Sequence, residues 1–410
     1  MTRFLPRDGW LLFLTRFIRL FAYGFVSVVL VLYLSAIGLS DAGIGLLLTL
    51  TLLGDVIVSF WVTTNADRVG RRLMLVFGAA MMLLAAAAFA SATTFWLLLL
   101  AATVGVISPS GNEVGPFLPI EQAALSQLVA GDRRTGVLAW YSLTGSLATA
   151  LGSLFGGAIA QFLQGLGWSE ATSYRPLVIG YGVFGLLLAV IFACLSPAVE
   201  VAQDRRVALP KSRWGLHRSR GMVLRLSALF ALDAFGGGFI LQSAVAWWFH
   251  TRFGSSLATL GAIFFGANIL AGLSALTATA LARRIGLVKT MVYTHIPSNI
   301  LLILVPLMPN EALAISLLLL RFTISQMDVP TRQSYTLAVV APEERSAAAG
   351  VTGVARSVGA AFSPLLATIL FGIPAWASAP FFFAGGIKIT YDLLLYLNFV
   401  AIRPPEETPS

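Results

Sequence analysis

The sequence predicts an all-α polytopic membrane protein with twelve transmembrane helices in two pseudo-symmetric six-helix bundles. Three observations carry that prediction. Apolar residues make up 58% of the 410 positions and charged residues only 11%, less than half the usual soluble share and too much apolar surface for a soluble core to hide. The apolar residues gather into twelve runs, each at or above the roughly 20 residues that cross a bilayer. The last six runs repeat features of the first six. The bundles are expected at 1–195 and 222–410, joined by a cytoplasmic linker at 196–221.

In chain order, run 10–34 contains Arg16, Arg19 and Tyr23. The two arginines interrupt it and no small-residue cleavage site follows, so it reads as a span and not as a removable signal. Run 42–64 contains Asp55, and 73–91 is plainly apolar. Run 94–127, with Glu113 and Glu121 in its lower part, is too long for one plain span, as is 312–340; both are expected to bend, tilt or run on into water. Run 136–163 sets Ala148, Gly152, Gly156 and Ala160 four residues apart, a small-residue ladder for close helix packing. After 174–195 comes "SPAVEVAQDRRVALPKSRWGLHRSRG", a solvated connector. Run 222–249 holds Asp233 just before Gly236-Gly237-Gly238, with Trp247 and Trp248 as interfacial anchors near its end. Runs 256–281 and 290–308 follow, the latter with His295 beside Pro297, a histidine that suits hydrogen-bonded packing. Runs 346–371 and 378–402 complete the set, and Lys388 and Asp392 in the last are four apart, the spacing of a structural pair on one helix.

The net charge of +9 would suit a nucleic-acid partner, but its distribution does not. With the N-terminus inside, eighteen Lys and Arg fall in cytoplasmic segments, while the outer loops hold Arg175 and Arg252. This is the positive-inside pattern, and it sets both termini in the cytoplasm. Cys194 is the only cysteine, so neither an internal disulfide nor a cysteine metal cluster is available. No Asn-x-Ser/Thr sequon occurs, in keeping with a cell (inner or plasma) membrane of bacterial type.

Sliding the second half by 211 residues brings Pro119 onto Pro330, Gln122 onto Gln333, Arg134 onto Arg345 and Ser146 onto Ser357. The loops "DRVGRR" and "RRIGLVK" also correspond. Duplicated sets of spans are a signature of secondary transporters. "NADRVGRRLML" resembles the loop signature of the major facilitator superfamily, with Thr63 in place of the usual small residue at its start. "ALGSLFGG" is similar to that superfamily's antiporter motif, with Ser153 where a proline is usual; Pro364 stands at the matching place in the second half. The resemblance covers nearly the whole chain. It implies a fold in which spans one, four, seven and ten line a central cavity, and a gate in which Asp67 meets span eleven and holds the outward-facing state. The functional loop positions would be Asp67, Arg68, Gly70, Arg71 and Arg72, the three arginines serving equally as topology charges or anionic-lipid contacts. Gly152, Gly156 and Gly157 form the packing motif, which the antiporter resemblance extends to sealing a proton leak.

Ionisable residues at membrane depth are costly unless paired or hydrated. The substrate and proton pathway is therefore expected at Arg19, Tyr23, Glu113, Glu121, Asp233, Gln326, Asp328 and Arg332, with Glu113, Asp233 and Asp328 as leading proton carriers. Arg321, Asp328 and Arg332 share one helix face, and Asp328 precedes Arg332 by one turn. Pro330 between them removes a backbone donor and frees a carbonyl, so the helix is expected to flex there. A static pair that locks packing fits the same spacing.

No Gly-x-Ser-x-Gly, His-Glu-x-x-His or phosphate loop occurs, so no enzymatic activity, cofactor or metal is expected. The short linker and tail leave no room for a sensor domain. The expected function is alternating-access transport of a small molecule, as proton-coupled efflux by a monomer in the lipid bilayer. An importer on the same fold and a non-transporting receptor are the alternatives.

Overall fold

The computed structural model describes residues 5–92, 94–105, 107–111, 113, 115–129, 131–200, 218–341 and 344–402, without the side chains of 64, 67, 68, 104, 131–136, 346 and 347. The first-half helices are α1 (Arg7–Ser27), α2 (Leu30–Ala36), α3 (Asp41–Val69), α4 (Arg71–Ser91), α5 (Phe95–Val104), α6 (Phe117–Leu128), α7 (Gly131–Gly165) and α8 (Glu170–Ala193). The second-half helices are α9 (Arg220–Gly238), α10 (Gln242–Phe253), α11 (Leu257–Ile285), α12 (Leu287–Leu304), α13 (Glu311–Phe322), α14 (Asp328–Ala338), α15 (Arg345–Gly372) and α16 (Ala379–Phe399). The described parts of Met1–Pro210 and Val245–Phe265 form one compact unit; those of Lys211–Ala244 and Gly266–Ser410 form the other.

Nine helical segments among the described residues are long and apolar enough to cross a membrane. Of the twelve predicted runs, those outside the nine are 94–127, 312–340 and 378–402. The first two are interrupted. Chain 105–116, rich in Gly, Ser and Pro, separates α5 from α6, and the turn at 323–327 separates α13 from α14. The third is the continuous α16, which carries Lys388 and Asp392. Pro330 is not a mid-helix kink: it lies in the first turn of α14, which starts at Asp328. Amides in a first turn have no intrahelical acceptor, so a proline there costs no hydrogen bond. The interruption lies upstream of it.

Small residues set the closest contacts. In the first unit α1 packs most extensively on α7. A Cβ on Gly152 would run into the carbonyl of Phe21, one on Gly156 into that of Phe25, and one on Gly24 into that of Thr149. Gly157 faces the carbonyl of Leu257 and the backbone of Gly261, and Gln161 Oε1 accepts from the Leu257 amide at 3.1 Å. These contacts draw 245–265 into the first unit. In the second unit α9 packs on α15 by the same device, with Gly359 against the Ala231 carbonyl and Gly238 against that of Ala360. Gly70 (φ +125°) and Gly286 (φ +89°) make the abrupt turns from α3 to α4 and from α11 to α12, in a backbone region that side chains disfavour.

Because α1 and α7 touch backbone to backbone, even one methyl has no room. Gly152→Ala or Gly156→Ala should destabilise by about 1–3 kcal/mol, the usual range for overpacking. A lower melting temperature of the detergent-purified protein would register this; an unchanged one would mean the helices are farther apart.

Candidate functional site

Each unit buries one cluster of charges at its interrupted segment. In the first unit, Thr15 and Arg19 share a face of α1. Arg19 is fully buried and donates in a fork to Glu121 on α6, at 2.8 Å and 2.6 Å. Its Nε donates to Glu113, in the interruption, at 3.0 Å. The other Glu113 oxygen accepts from Arg16. Glu121 also accepts from Thr15 at 2.9 Å and from the Tyr141 hydroxyl on α7. Arg19 lies over the Phe117 ring at 4.7 Å and Arg16 over that of Tyr141 at 4.8 Å, contacts that favour a cation. Gly145 leaves the space that Arg16 fills, since a Cβ there would come within 2.8 Å of Arg16 Nε. Tyr23 is buried and stacks on Tyr181 at 6.3 Å.

Asp55 on α3 has different company. Its carboxylate accepts from the Gly115 amide at 2.6 Å and from Ser59 Oγ at 3.1 Å. It thus satisfies a backbone donor exposed where the helix is interrupted, and among the described residues it forms no ion pair.

In the second unit Asp233 on α9 is the hub. It accepts from Lys388 at 2.6 Å, Arg356 at 2.9 Å and Arg332 at 3.2 Å. His295 Nε2 is 3.9 Å away. Arg332 also donates to Asp328 at 2.7 Å, one turn earlier on α14. The predicted Lys388–Asp392 pair does not form. Lys388 reaches Asp233 past Gly236 and Gly237, where its side chain runs 3.0 Å and 3.7 Å from the places a Cβ would occupy. Asp392 instead meets His295 Nδ1 at 2.9 Å and Asn299 Nδ2 at 3.3 Å. His295 is therefore part of a polar chain between two buried carboxylates. Gln326 lies in the 323–327 turn, its amide on Ser274 Oγ at 3.4 Å, outside the cluster around Asp233.

Arg356 and Tyr141 were not anticipated from sequence. Arg356 lies 211 residues after Gly145, so the signal available was a cation where the first half has a gap. A buried tyrosine hydroxyl needs a partner, but sequence alone does not name it. The clusters are also inverted in sign. Glu121 and Arg332 are 211 apart, yet the first unit puts its acids on the interrupted segment and its cations on α1, while the second has its hub acid on α9 and Arg332 on α14.

In the loop signature, the side chains of Asp67 and Arg68 lie outside the described residues. Gly70 makes the turn, and Glu200 accepts from the backbone amides of Arg71 at 2.8 Å and Arg72 at 3.1 Å, an acid at the positive start of α4. Arg71 is buried and donates to Gln127 at 3.2 Å and to the Val199 carbonyl at 3.1 Å. Arg72 donates to the Leu195 carbonyl at 3.2 Å. Both arginines therefore fasten the end of the first half. In the second unit Glu344 accepts from the amides of Arg218 and Ser219 at 2.7 Å and 2.8 Å, at the start of α9. Among the described residues no His/Cys/Asp/Glu group could hold a metal ion.

The sequence pattern of the Major Facilitator Superfamily matches residues 12–327. The chain is 33% identical over 429 aligned positions to the uncharacterized membrane protein YJR124C of Saccharomyces cerevisiae, covering 97% of this chain and 95% of that one. Its fold is similar to that of a bacterial homologue of the human lysosomal transporter Spinster in an inward-facing, unoccupied conformation, with TM-score 0.70, 16% identity and 95% and 94% of the two chains covered. It is also similar to the nucleoside transporter NupG, with TM-score 0.73, 14% identity and 96% and 99% covered. With an all-helical fold, buried charge clusters and these matches, the chain belongs to the major facilitator superfamily and is a multi-pass membrane secondary transporter, not an enzyme.

Proposed function

We propose that this transporter is a proton-coupled exporter of a small molecule working by alternating access, and that the two buried clusters are its substrate and proton pathway. The observation that carries the reading is the coincidence of buried, networked charge with the interrupted segments at 105–116 and 323–327. Irregular backbone and ionisable side chains at membrane depth are tolerated where protein or a hydrated path serves them. Export is supported by the likeness of "ALGSLFGG" to an antiporter motif and by the close glycine packing of α7. The halves 1–195 and 222–410 act as the two bundles, joined by 196–221. The protein acts as a monomer in the cell (inner or plasma) membrane with both termini cytoplasmic, a topology supported by the eighteen-to-two bias of basic residues.

Charge accounting refines the proton carriers. Protonating Glu113 or Asp233 would leave buried arginines uncompensated. Protonating Asp55 strands no cation among the described residues and loosens its hold on Gly115. Asp55 is therefore placed ahead of Glu113, Asp233 and Asp328 as the coupling carboxylate. In proteoliposomes, Asp55→Asn should abolish flux driven by a pH gradient while substrate exchange at equal pH survives. Full coupling in that variant would remove Asp55 from the pathway. Glu113→Gln and Asp233→Asn should mainly lower thermal stability, as removing one partner of a buried pair costs about 3–5 kcal/mol.

The Asp328–Arg332 pair serves the cycle by breaking and re-forming. Arg332 keeps Asp233 when Asp328 is lost, whereas Asp328 has no other hydrogen-bonded cation among the described residues. Arg332→Gln should therefore destabilise more than Asp328→Asn. The double variant should regain folding without regaining transport. Recovery of both folding and transport would make the pair purely structural.

Asp67, with Arg68, Gly70, Arg71 and Arg72, forms the gate region and favours one facing state. Asp67→Asn should lower transport without loss of folded protein and should change the labelling of cysteines introduced in cytoplasmic loops. Normal transport with unchanged labelling would leave Asp67 without a gating role.

A further inference from the structure

Among the described residues, Arg321 departs from the carboxylate pairing of Arg332, Arg356 and Lys388 in the second unit. It lies in the last turn of α13, about 15 Å along the helix from Glu311 at 1.5 Å per residue, or half of a hydrocarbon core about 30 Å thick. It is only 7% exposed. Arg332, Arg356 and Lys388 each donate to a carboxylate. The Arg321 guanidinium donates to no acceptor among the described residues, and its Nε is buried without a partner. Its Cζ lies over the Phe322 ring, 5.1 Å from the centroid. Four residues on, in the turn that interrupts the segment, Ser325 Oγ is likewise buried and unpartnered. Asp328 and Asp233 act on Arg321 through space, but both are already bonded to Arg332.

A guanidinium at this depth without an acceptor is costly, because desolvation is offset only by a close, hydrogen-bonded counter-charge. The charge count agrees. Among the described residues of this cluster, Asp233, Asp328 and Asp392 stand against Arg321, Arg332, Arg356 and Lys388, all buried or part-buried, one more permanent cation than acid. From this surplus at the interruption of the segment we propose that Arg321, with Ser325, binds the anionic group of the transported solute, so that the substrate class is organic anions bearing a carboxylate or phosphate. A planar guanidinium with free N–H groups matches either oxyanion in a fork, and the serine hydroxyl adds a third donor. The inference rests on the transporter reading but not on proton coupling or direction, since binding is measured without a gradient.

The test is a thermal-shift series on the full-length purified protein. The probes are sodium benzoate, nicotinate, succinate and inorganic phosphate, against benzamide and nicotinamide as neutral matches, at constant ionic strength. At least one anion should raise the melting temperature while its neutral match does not. Arg321→Gln should weaken that response about ten- to a hundredfold in concentration, the loss expected for a hydrogen bond to a charged group. Arg321→Lys should keep part of it. Without ligand, Arg321→Gln should melt no lower than the parent, because it removes an unpaired buried charge. A marked drop would mean that Arg321 is a structural cation, and would overturn the proposal. So would equal shifts from neutral and anionic probes, no anion-specific shift across the series, or an undiminished shift in Arg321→Gln. Phosphatidylcholine nanodiscs with and without phosphatidylglycerol separate the remaining source of phosphate. Stabilisation by the anionic lipid alone, lost in Arg321→Gln, would assign the residue to a lipid headgroup and not to a solute. Transport of a neutral solute with no anion response would sink this inference and leave the transporter reading intact.

Discussion

Arg19 is a fully buried guanidinium in a chain built to sit in hydrocarbon, and the first unit is organised around making that tolerable. Two glutamates from separate stretches of the fourth segment converge on it, one in a fork through Nη1 and Nη2 and one on Nε. Both glutamates then need further donors, which Thr15, Arg16 and Tyr141 supply. Removing Arg19 would leave Glu121, its fork partner, without its cation in a low-dielectric environment. Interrupting the segment lets Glu113 and Glu121 approach the same guanidinium, the first from irregular backbone and the second from α6. The interruption frees backbone donors in turn, and Asp55 takes up one of them. Charge burial, broken helix and acidic latch thus depend on one another.

The second unit solves the same problem with the signs exchanged. A carboxylate on α9 collects cations from α14, α15 and α16. The duplicated halves therefore keep the geometry of a buried pair between their first and fourth segments, while the residue types at matching positions have changed. Glycine does corresponding work in each: Gly145 makes room for Arg16, and Gly236 with Gly237 makes room for Lys388. Small residues bring the helices together and also provide the channels along which long cationic side chains reach their partners.

Much of this was legible in the sequence. Charges standing in apolar runs named most of the cluster members, and the excessive length of 94–127 and 312–340 marked the interrupted segments. The spacing of Asp328 and Arg332 named a real pair, because i,i+4 contacts are local. The same rule failed for Lys388 and Asp392. Spacing along one helix cannot weigh a stronger partner on another helix, and Asp233 is reached only through a gap left by glycines. Arg356 stands eleven residues into α15, and its pairing with Asp233 on another helix is not visible from spacing along its own. Pro330 misled for a related reason: a proline disrupts a helix interior but is neutral in a first turn, and sequence does not say where the new helix begins. The orphan state of Arg321 could not be read at all, since it is a property of what fails to approach it.

The charge-bearing α16 has a consequence for how the chain enters the membrane. Lys388 and Asp392 each oppose partition of an isolated helix by about 2.5–3.5 kcal/mol on the insertion scale, and the helix is not among the nine that are apolar enough by themselves. Their partners, Asp233, His295 and Asn299, all precede them in the chain. During synthesis those groups emerge from the ribosome first, so the last helix meets counter-charges already in place. Insertion of α16 is then an act of assembly, in which a helix that the bilayer alone would reject is accepted by the protein made before it.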